Sequence, residues 1–319
     1  MISSFLHYFS AGLSITLGGI GGGIGLGIAA FNGIDSLLRQ PTGNDSEFRS
    51  MIIGMALIES GAIIALVATL VILIGAHRDI SLGTGLAEMG MGLAVGITAA
   101  TISIASSFVV KEATYAISRQ PPFAQKIIGF MLLTQSIIEA PAIFAFVVAL
   151  VIKTRIFPTM SFFEGLQAFS AGLVMAFGSL GPSIGQSRFA KTACRCIGLN
   201  KSAHSKIFPF TLLGEAVIET PVIFCLLISL MILHVNVSLL SIVSVITFFI
   251  AALTLVMGSL GGGIAIGKVT SISCLQLAND PSNYNMFMRV TLLAMAFIES
   301  AVIYALIVAL LLVTRGPIV

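Results

Sequence analysis

Four glutamates recur at a fixed interval within the most apolar parts of the sequence. Each follows an isoleucine and precedes a small residue, and successive members are 80 residues apart: Glu59, Glu139, Glu219 and Glu299. An ionised carboxylate at the centre of a bilayer costs about 2.5 to 3.5 kcal/mol, and burial favours the protonated, neutral form. A carboxyl group that gains and loses an ion at that depth can carry it across a membrane, so these four residues are the candidate ion-carrying groups.

The composition places these glutamates in a membrane protein. The chain has 319 residues, of which 57% are hydrophobic and 9% are charged, and its mean hydropathy is +1.08. A chain with so few charged residues cannot form the polar surface that a water-soluble protein needs, so soluble enzymes and nucleic-acid-binding domains are excluded. The net charge of +3 is too small to indicate a polyanionic partner, and we expect no nucleic acid to bind.

A helix needs about 20 mostly apolar residues to cross a bilayer core, and eight stretches meet this requirement. Their approximate limits are 6–37, 50–75, 84–117, 127–152, 164–193, 207–233, 242–278 and 287–314. Every second stretch contains one of the glutamates, so the chain divides into four tandem helical hairpins, which we place at residues 1–80, 81–160, 161–240 and 241–319. The predicted fold is an all-α membrane protein with eight transmembrane helices. Because each unit crosses twice, all four units have the same orientation.

The basic residues indicate which side of the membrane each connection faces. Twelve of the sixteen lie at the connections inside the hairpins: Arg39, Arg49, Lys111, Arg119, Lys126, Arg188, Lys191, Arg195, Lys201, Lys206, Lys268 and Arg289. The other side has only Arg78, Lys153, Arg155 and Arg315. Since positive residues concentrate on the cytoplasmic side, we expect cytoplasmic hairpin loops and both termini on the opposite side.

The first span of each hairpin carries small residues at five alternate positions. In the 80-residue register these are Gly19, Gly21, Gly23, Gly25 and Gly27; Ala99, Thr101, Ser103, Ala105 and Ser107; Ser179, Gly181, Ser183, Gly185 and Ser187; and Ser259, Gly261, Gly263, Ala265 and Gly267. A nucleotide-binding glycine loop would need a preceding strand, which a membrane span does not supply. At about 100° per residue, alternate positions form two stripes on opposite flanks of a helix. Small residues allow close approach, so each first helix is predicted to have a like neighbour on both sides, as in a ring or a row.

These motifs together resemble a known family. The glycine-rich first helix, a polar loop reading Arg39-Gln40-Pro41 and Arg119-Gln120-Pro121, and a second helix with a membrane glutamate are similar to the c subunit of F-type rotary ATP synthases. The proteolipids of vacuolar and archaeal rotary ATPases are the nearest relatives of that family. The resemblance covers essentially the whole chain, four times over, so the eight helices would form part of a rotor ring.

The resemblance implies a function and a set of partners. The chain would be a non-catalytic, ion-translocating subunit without a cofactor, assembled with other c-type chains into a ring within membrane lipid. The ring would turn against a stator a subunit that carries a membrane arginine, and its loops would contact the central stalk. Each glutamate would take an ion from one half-channel and release it into another. The membrane would be the inner or plasma membrane of a bacterium, or otherwise an energy-coupling organelle membrane.

Two loops depart from the family pattern. The third reads Leu199-Asn200-Lys201 and the fourth Asn279-Asp280-Pro281, which puts their contact with the stalk in doubt. All four carboxylates remain, although duplicated vacuolar forms often lose one. The number of ions per hairpin is therefore expected to be undiminished, and ATP synthesis stays plausible.

The identity of the ion depends on the oxygen atoms around each glutamate. The third repeat has Gln186 and Thr220 near Glu219, and the fourth has Ser300 and Tyr304, all of which resemble parts of a sodium site. No repeat has the full set, so we predict protons, with sodium as the alternative and no resident metal. Prolines two residues after two of the glutamates, Pro141 and Pro221, free the carbonyls of Ile137 and Val217.

Some alternatives stay open on the sequence. Glu215, one turn before Glu219, is either a polar residue near the helix entrance or a second ion ligand. A non-rotary channel or transporter is a competing function, although four identical direct repeats do not suggest a substrate site. A purely structural oligomer would leave the four acids unexplained.

Overall fold

The computed structural model describes residues 2–74, 81–157, 160–235 and 241–315, and Arg78 lies outside these ranges. The helices in the described part of the chain are α1 (Ile2–Leu37), α2 (Asn44–Ile74), α3 (Leu82–Arg119), α4 (Ala124–Thr154), α5 (Phe162–Gly178), α6 (Leu180–Leu199), α7 (His204–His234), α8 (Ile242–Asn279) and α9 (Tyr284–Arg315). No strand occurs within these ranges. Counting α5 and α6 as one, eight helical segments are long and apolar enough to cross a membrane, as the sequence predicted.

The helices extend beyond the apolar stretches that identified them. The unbroken helices contain 31 to 38 residues, which corresponds to about 46 to 57 Å. A bilayer core is only about 30 Å thick. Each of these helices is therefore longer than the hydrocarbon core that it would cross.

The eight segments form two rows. The first helices of the four hairpins make the small-residue row, in which α1, α3, α5–α6 and α8 contact each other in chain order. The second helices make the carboxylate row, in which α2, α4, α7 and α9 follow the same order. Each hairpin thus contributes one helix to each row, and hairpins 1 and 4 lie at the two ends.

Backbones in the small-residue row approach so closely that a methyl group on many of its glycines would clash. A methyl group on Gly25 would lie 2.6 Å from the Ser103 carbonyl oxygen of α3, and one on Gly185 would meet the Gly263 backbone of α8. On the other flank of α6, the Ser187 hydroxyl donates to the Ala105 carbonyl of α3 at 2.7 Å. The two interior members of the row therefore have like neighbours on both flanks, as the two stripes predicted, whereas α1 and α8 each have one such neighbour within the chain.

The outward flanks of the two end helices are open. A methyl group on Gly19, Gly23 or Gly27 of α1 would meet nothing within 4 Å, and the same holds for Gly261 of α8. In the 80-residue register, the open stripe of α1 corresponds to the stripe that faces the preceding hairpin elsewhere in the row. The open stripe of α8 corresponds to the one that faces the following hairpin. The two open stripes are therefore the two complementary sides of one kind of interface.

The first helix of hairpin 3 is interrupted at Ser179, which separates α5 from α6, although the sequence predicted one span over 164–193. Pro182 has no amide hydrogen, so the Gly178 carbonyl loses its helical donor. The Ser259 hydroxyl of α8 donates to that carbonyl at 2.6 Å, and the Ser179 hydroxyl is 3.0 Å from that of Thr98 on α3. The break therefore exchanges a helical hydrogen bond for one between hairpins.

The four hairpin loops have the same form. Each contains a single 3₁₀ turn, at Pro41–Gly43, Pro121–Phe123, Lys201–Ala203 and Pro281–Asn283. In the fourth loop, hydrogen bonds from Ser282 and Asn283 hold the pKa of Asp280 below its ordinary value. The departures from Arg-Gln-Pro in the third and fourth loops thus change side chains and not the fold of the turn.

Replacing a glycine of the small-residue row by leucine is expected to destabilise the fold. G185L would force α6 and α8 apart, and such overpacking typically costs about 1–3 kcal/mol. Gly129 is exposed and a methyl group there meets nothing, so G129L is the matched control. The temperature of unfolding in detergent should fall for G185L and stay near wild type for G129L. An unchanged value for G185L would contradict the close approach of these helices.

Candidate functional site

The four glutamates occupy equivalent places in the carboxylate row. Each is the sixteenth residue of a helix of 31 or 32 residues, so each lies at the midpoint of its helix, about 23 Å from either end. The isoleucine before each glutamate packs against neighbouring helices: Ile58, Ile138 and Ile218 are buried, and Ile298 is half-buried. The structure therefore places all four carboxyl groups at the same level of the helix pairs.

Glycines of the small-residue row let the second helices approach at that level. A methyl group on Gly25 would lie 2.9 Å from the Ile58 side chain, and one on Gly185 would lie 3.1 Å from that of Ile218. The Ser103 hydroxyl, on the first helix of hairpin 2, donates to the Ile58 carbonyl at 3.0 Å. Hairpins 1 and 2 are thus joined next to Glu59. The helix backbone that carries Glu59 is held in place by the first helix of hairpin 2.

Neighbouring hairpins also supply side chains to the carboxylates. The Ser60 hydroxyl of hairpin 1 lies near the Glu139 carboxyl group of hairpin 2, although neither that hydroxyl nor Glu139 Oε1 makes a hydrogen bond among the described residues. By the 80-residue register, the equivalent neighbour of Glu219 is Ala140, which has no hydroxyl, and that of Glu299 is Thr220. In hairpin 1, the residue after the glutamate therefore faces the next hairpin, and the register predicts the same for Ala140 and Thr220. Sequence reasoning missed this relation, because it grouped residues within single repeats.

The four carboxylates differ in how well they are covered. Glu139, Glu219 and Glu299 are half-buried, whereas Glu59 is exposed. The three half-buried residues have a preceding hairpin in the chain, and Glu59 has none. The exposure of Glu59 therefore reflects the open flank of hairpin 1.

The side chains predicted as sodium ligands are not brought together around one carboxylate. The Gln186 side chain is fully buried and makes no hydrogen bond. The hydroxyls of Thr220 and Ser300 donate to carbonyls of their own helices, at 3.4 and 2.8 Å, and Tyr304 is 65% exposed. Within the described ranges, no group of three His, Cys, Asp or Glu residues could hold a metal.

The two proline residues after the glutamates do not break their helices. α4 continues through Pro141 and α7 through Pro221. The freed carbonyls of Ile137 and Val217 therefore stay within regular helix, two residues before Glu139 and Glu219. Their use as acceptors for the protonated acid stays a prediction.

The two Arg-Gln-Pro loops present their arginines differently. Arg39 is paired with Asp35 at 2.8 Å and lies 4.8 Å above the Tyr115 ring of hairpin 2. Arg119 is exposed. Pro41 and Pro121, which follow Gln40 and Gln120, each start the 3₁₀ turn. The candidate stalk-contact residues thus lie at one end of the helix pairs, about 23 Å from the carboxylates along the helix axes.

Comparison with known proteins agrees with this geometry. The family of ATP synthase c subunits matches the chain four times, at residues 9–72, 89–152, 169–232 and 249–312. Among relatives, the ATP synthase c subunit of Geotalea daltonii is 40% identical over 74 residues, which are 23% of this chain and 81% of that protein. The ATP synthase c subunit of Dehalococcoides mccartyi is 40% identical over 73 residues, or 23% of this chain and 96% of that protein.

A single relative thus corresponds to about one hairpin, and the family matches recur at the same 80-residue interval as the glutamates. The matched segments include both rows and all four carboxylates, and together they cover most of the chain. This protein, with its four fused hairpins, therefore belongs to the family of ATP synthase c subunits.

Proposed function

We propose that this chain is an ion-carrying rotor component that translocates protons on Glu59, Glu139, Glu219 and Glu299. Membership of the family makes it a non-catalytic rotor proteolipid of an ATP synthase and an integral membrane protein. The proposal goes further in assigning the ion and the residues. The observation that supports it most is that each of the four equivalent helices carries a carboxylate at its midpoint.

The proposed mechanism alternates each carboxyl group between two forms. A protonated glutamate is neutral, so it can face lipid without the cost of about 2.5 to 3.5 kcal/mol that an ionised one carries. Near a stator arginine the ionised form is favoured by the opposite charge, and the proton is released. Rotation of the ring would then bring the next carboxylate to the same place and couple proton flow to ATP synthesis or hydrolysis in the catalytic head.

Protons are favoured over sodium by the oxygens that surround the carboxylates. Glu219 has Gln186 in its own hairpin, but its neighbour across the interface is Ala140. Glu139 has the Ser60 hydroxyl nearby without a hydrogen bond to it, and the residue equivalent to Gln186 in its hairpin is Ser106. Sodium would need several oxygens at one carboxylate, whereas a proton needs only the carboxyl group and one acceptor. The buried, unpartnered Gln186 is the observation that keeps sodium as the alternative.

The open flanks indicate how copies of the chain would assemble. The stripe of Gly19, Gly23 and Gly27 on one copy is complementary to the stripe of Gly261 on another, in a head-to-tail interface that repeats. Hairpin 4 of the second copy would then cover Glu59 as hairpin 1 covers Glu139. A ring built only from this chain would contain a multiple of four hairpins. The loops would face the catalytic head and stalk on the cytoplasmic side, with both termini opposite.

A hydrophobic carbodiimide, which reacts with protonated carboxyls in membranes, is expected to modify all four glutamates. Peptide mass spectrometry of treated membranes should locate one adduct on each, with less reaction as the pH rises. Glu164 is an internal control, because it accepts a hydrogen bond from the Ser161 amide at 2.6 Å and should stay unmodified. Protection by sodium would establish the alternative ion, and no adduct at any of the four would contradict the proposal.

Replacing a single glutamate by glutamine should stop coupled transport. E139Q leaves a permanently neutral group, and a ring cannot complete a turn if one position fails to exchange its ion at the stator. ATP-driven proton pumping in vesicles should be lost for E139Q and kept for E112Q, which changes a carboxylate near the loop end of α3. Wild-type pumping by E139Q would show that Glu139 does not carry ions.

Substitution on the open flank should separate folding from assembly. G23L has room within one chain but would obstruct the interface with a second copy. Native mass spectrometry should therefore show multiples of 33.3 kDa for wild type and for G129L, and a single chain for G23L. Assembly of G23L into wild-type rings would argue against the proposed interface.

A further inference from the structure

One buried acid has no part in the proposed ion transfer. Glu215 lies on α7 one turn before Glu219, and its side chain is fully buried. Neither carboxyl oxygen has a hydrogen-bond partner among the described residues. A buried polar group without a partner is strongly unfavourable, so this side chain requires an explanation.

The equivalent position of hairpin 2 indicates an explanation for this buried acid. The four residues in this register are Met55, Gln135, Glu215 and Met295. Gln135 is also fully buried, and its side-chain amide donates to the Gly54 carbonyl at 3.2 Å. That bond joins α4 to α2, the preceding helix of the carboxylate row. A polar side chain at this position can therefore tie one hairpin to the hairpin before it.

The same offset places a carbonyl opposite Glu215. Gln135 and Gly54 are 81 residues apart, so the counterpart of Gly54 for Glu215 is Thr134 on α4. The same register holds at the start of these two helices, because the rings of Phe123, directly before α4, and His204, the first residue of α7, are also 81 residues apart in sequence and lie 5.2 Å from each other. Gln135 donates to the Gly54 carbonyl, and the carbonyl at the same offset from Glu215 is that of Thr134.

Hydrogen-bond chemistry then decides which form of Glu215 fits. An ionised carboxylate only accepts hydrogen bonds, and no described residue donates to either oxygen. A protonated carboxyl has one hydrogen to donate, like the amide of Gln135. The titratable groups that act on Glu215 within the described ranges are Glu219 and Cys194, and neither is a cation that would favour ionisation.

We propose that Glu215 stays protonated and donates a hydrogen bond to the Thr134 carbonyl, so that it is a positioning residue between hairpins 2 and 3. It does not exchange ions with the stator. The interfaces before hairpins 2 and 3 then each contain one polar tie, whereas hairpins 1 and 4 have methionine at this position. The inference concerns a group that the ion-carrying mechanism leaves unused, and it holds whether the ion is a proton or sodium.

The test compares E215Q with E215L in the assembled protein. Glutamine keeps a donor of nearly the same shape, so E215Q should unfold in detergent at the wild-type temperature, whereas E215L should unfold at a lower temperature. The reciprocal change Q135E should also be tolerated, and Q135L should resemble E215L. These stability comparisons do not depend on whether Glu219 carries an ion.

A second readout distinguishes a neutral Glu215 from an ionised one. The pH at which carbodiimide modifies half of Glu219 should be the same in wild type and E215Q. If Glu215 were ionised, its negative charge would oppose ionisation of Glu219, and its removal would lower this midpoint by about one pH unit or more. Such a shift, or loss of proton pumping in E215Q, would overturn the proposal.

Discussion

Close approach of backbones in the small-residue row is the interaction on which the rest of the structure depends. Lipid is as apolar as leucine, so the hydrophobic effect does not hold membrane helices together, and close van der Waals contact must do so. Gly185 against Gly263 and Gly25 against Ser103 provide that contact. Because α3 and α5–α6 have such contacts on both flanks, and α1 and α8 have them on their inner flanks, the hairpins stack in one direction and keep one register. The equal level of the four carboxylates follows from this register.

The carboxylate row has to meet two opposing demands. A mid-membrane acid must be covered well enough to remain neutral in lipid, yet it must stay accessible for ion exchange. In this chain the three half-buried carboxylates each have a preceding hairpin, whereas Glu59 is exposed and has none. On the proposed function, fusing four hairpins covers three of the carboxylates within one chain and leaves Glu59 for the next copy. Fusion also allows the sites to differ, and Gln135, Glu215 and Gln186 are examples of such differences.

The sequence predicted the parts of the structure that follow from periodicity. The 80-residue interval indicated the hairpins, and the alternation of small residues indicated the two flanks, because both depend only on helix geometry. Contacts between hairpins could not be predicted in this way. The buried pair of His7 and Glu88, 2.7 Å apart, joins α1 to α3, and neither residue is repeated. Pro182 was a visible signal for the break at Ser179, but its effect depends on Ser259, which lies in another hairpin.

In the proposed assembly, four equivalent hairpins, each covering the carboxylate of the next, continue from one copy of the chain to another in a closed ring. An electron cryomicroscopy structure of the detergent-extracted assembly would measure this directly. The account predicts that all four glutamates lie at one depth and that α9 of a neighbouring copy covers Glu59 as α2 covers Glu139. A ring in which Glu59 remains uncovered, or an assembly in which the open flanks do not meet, would contradict it.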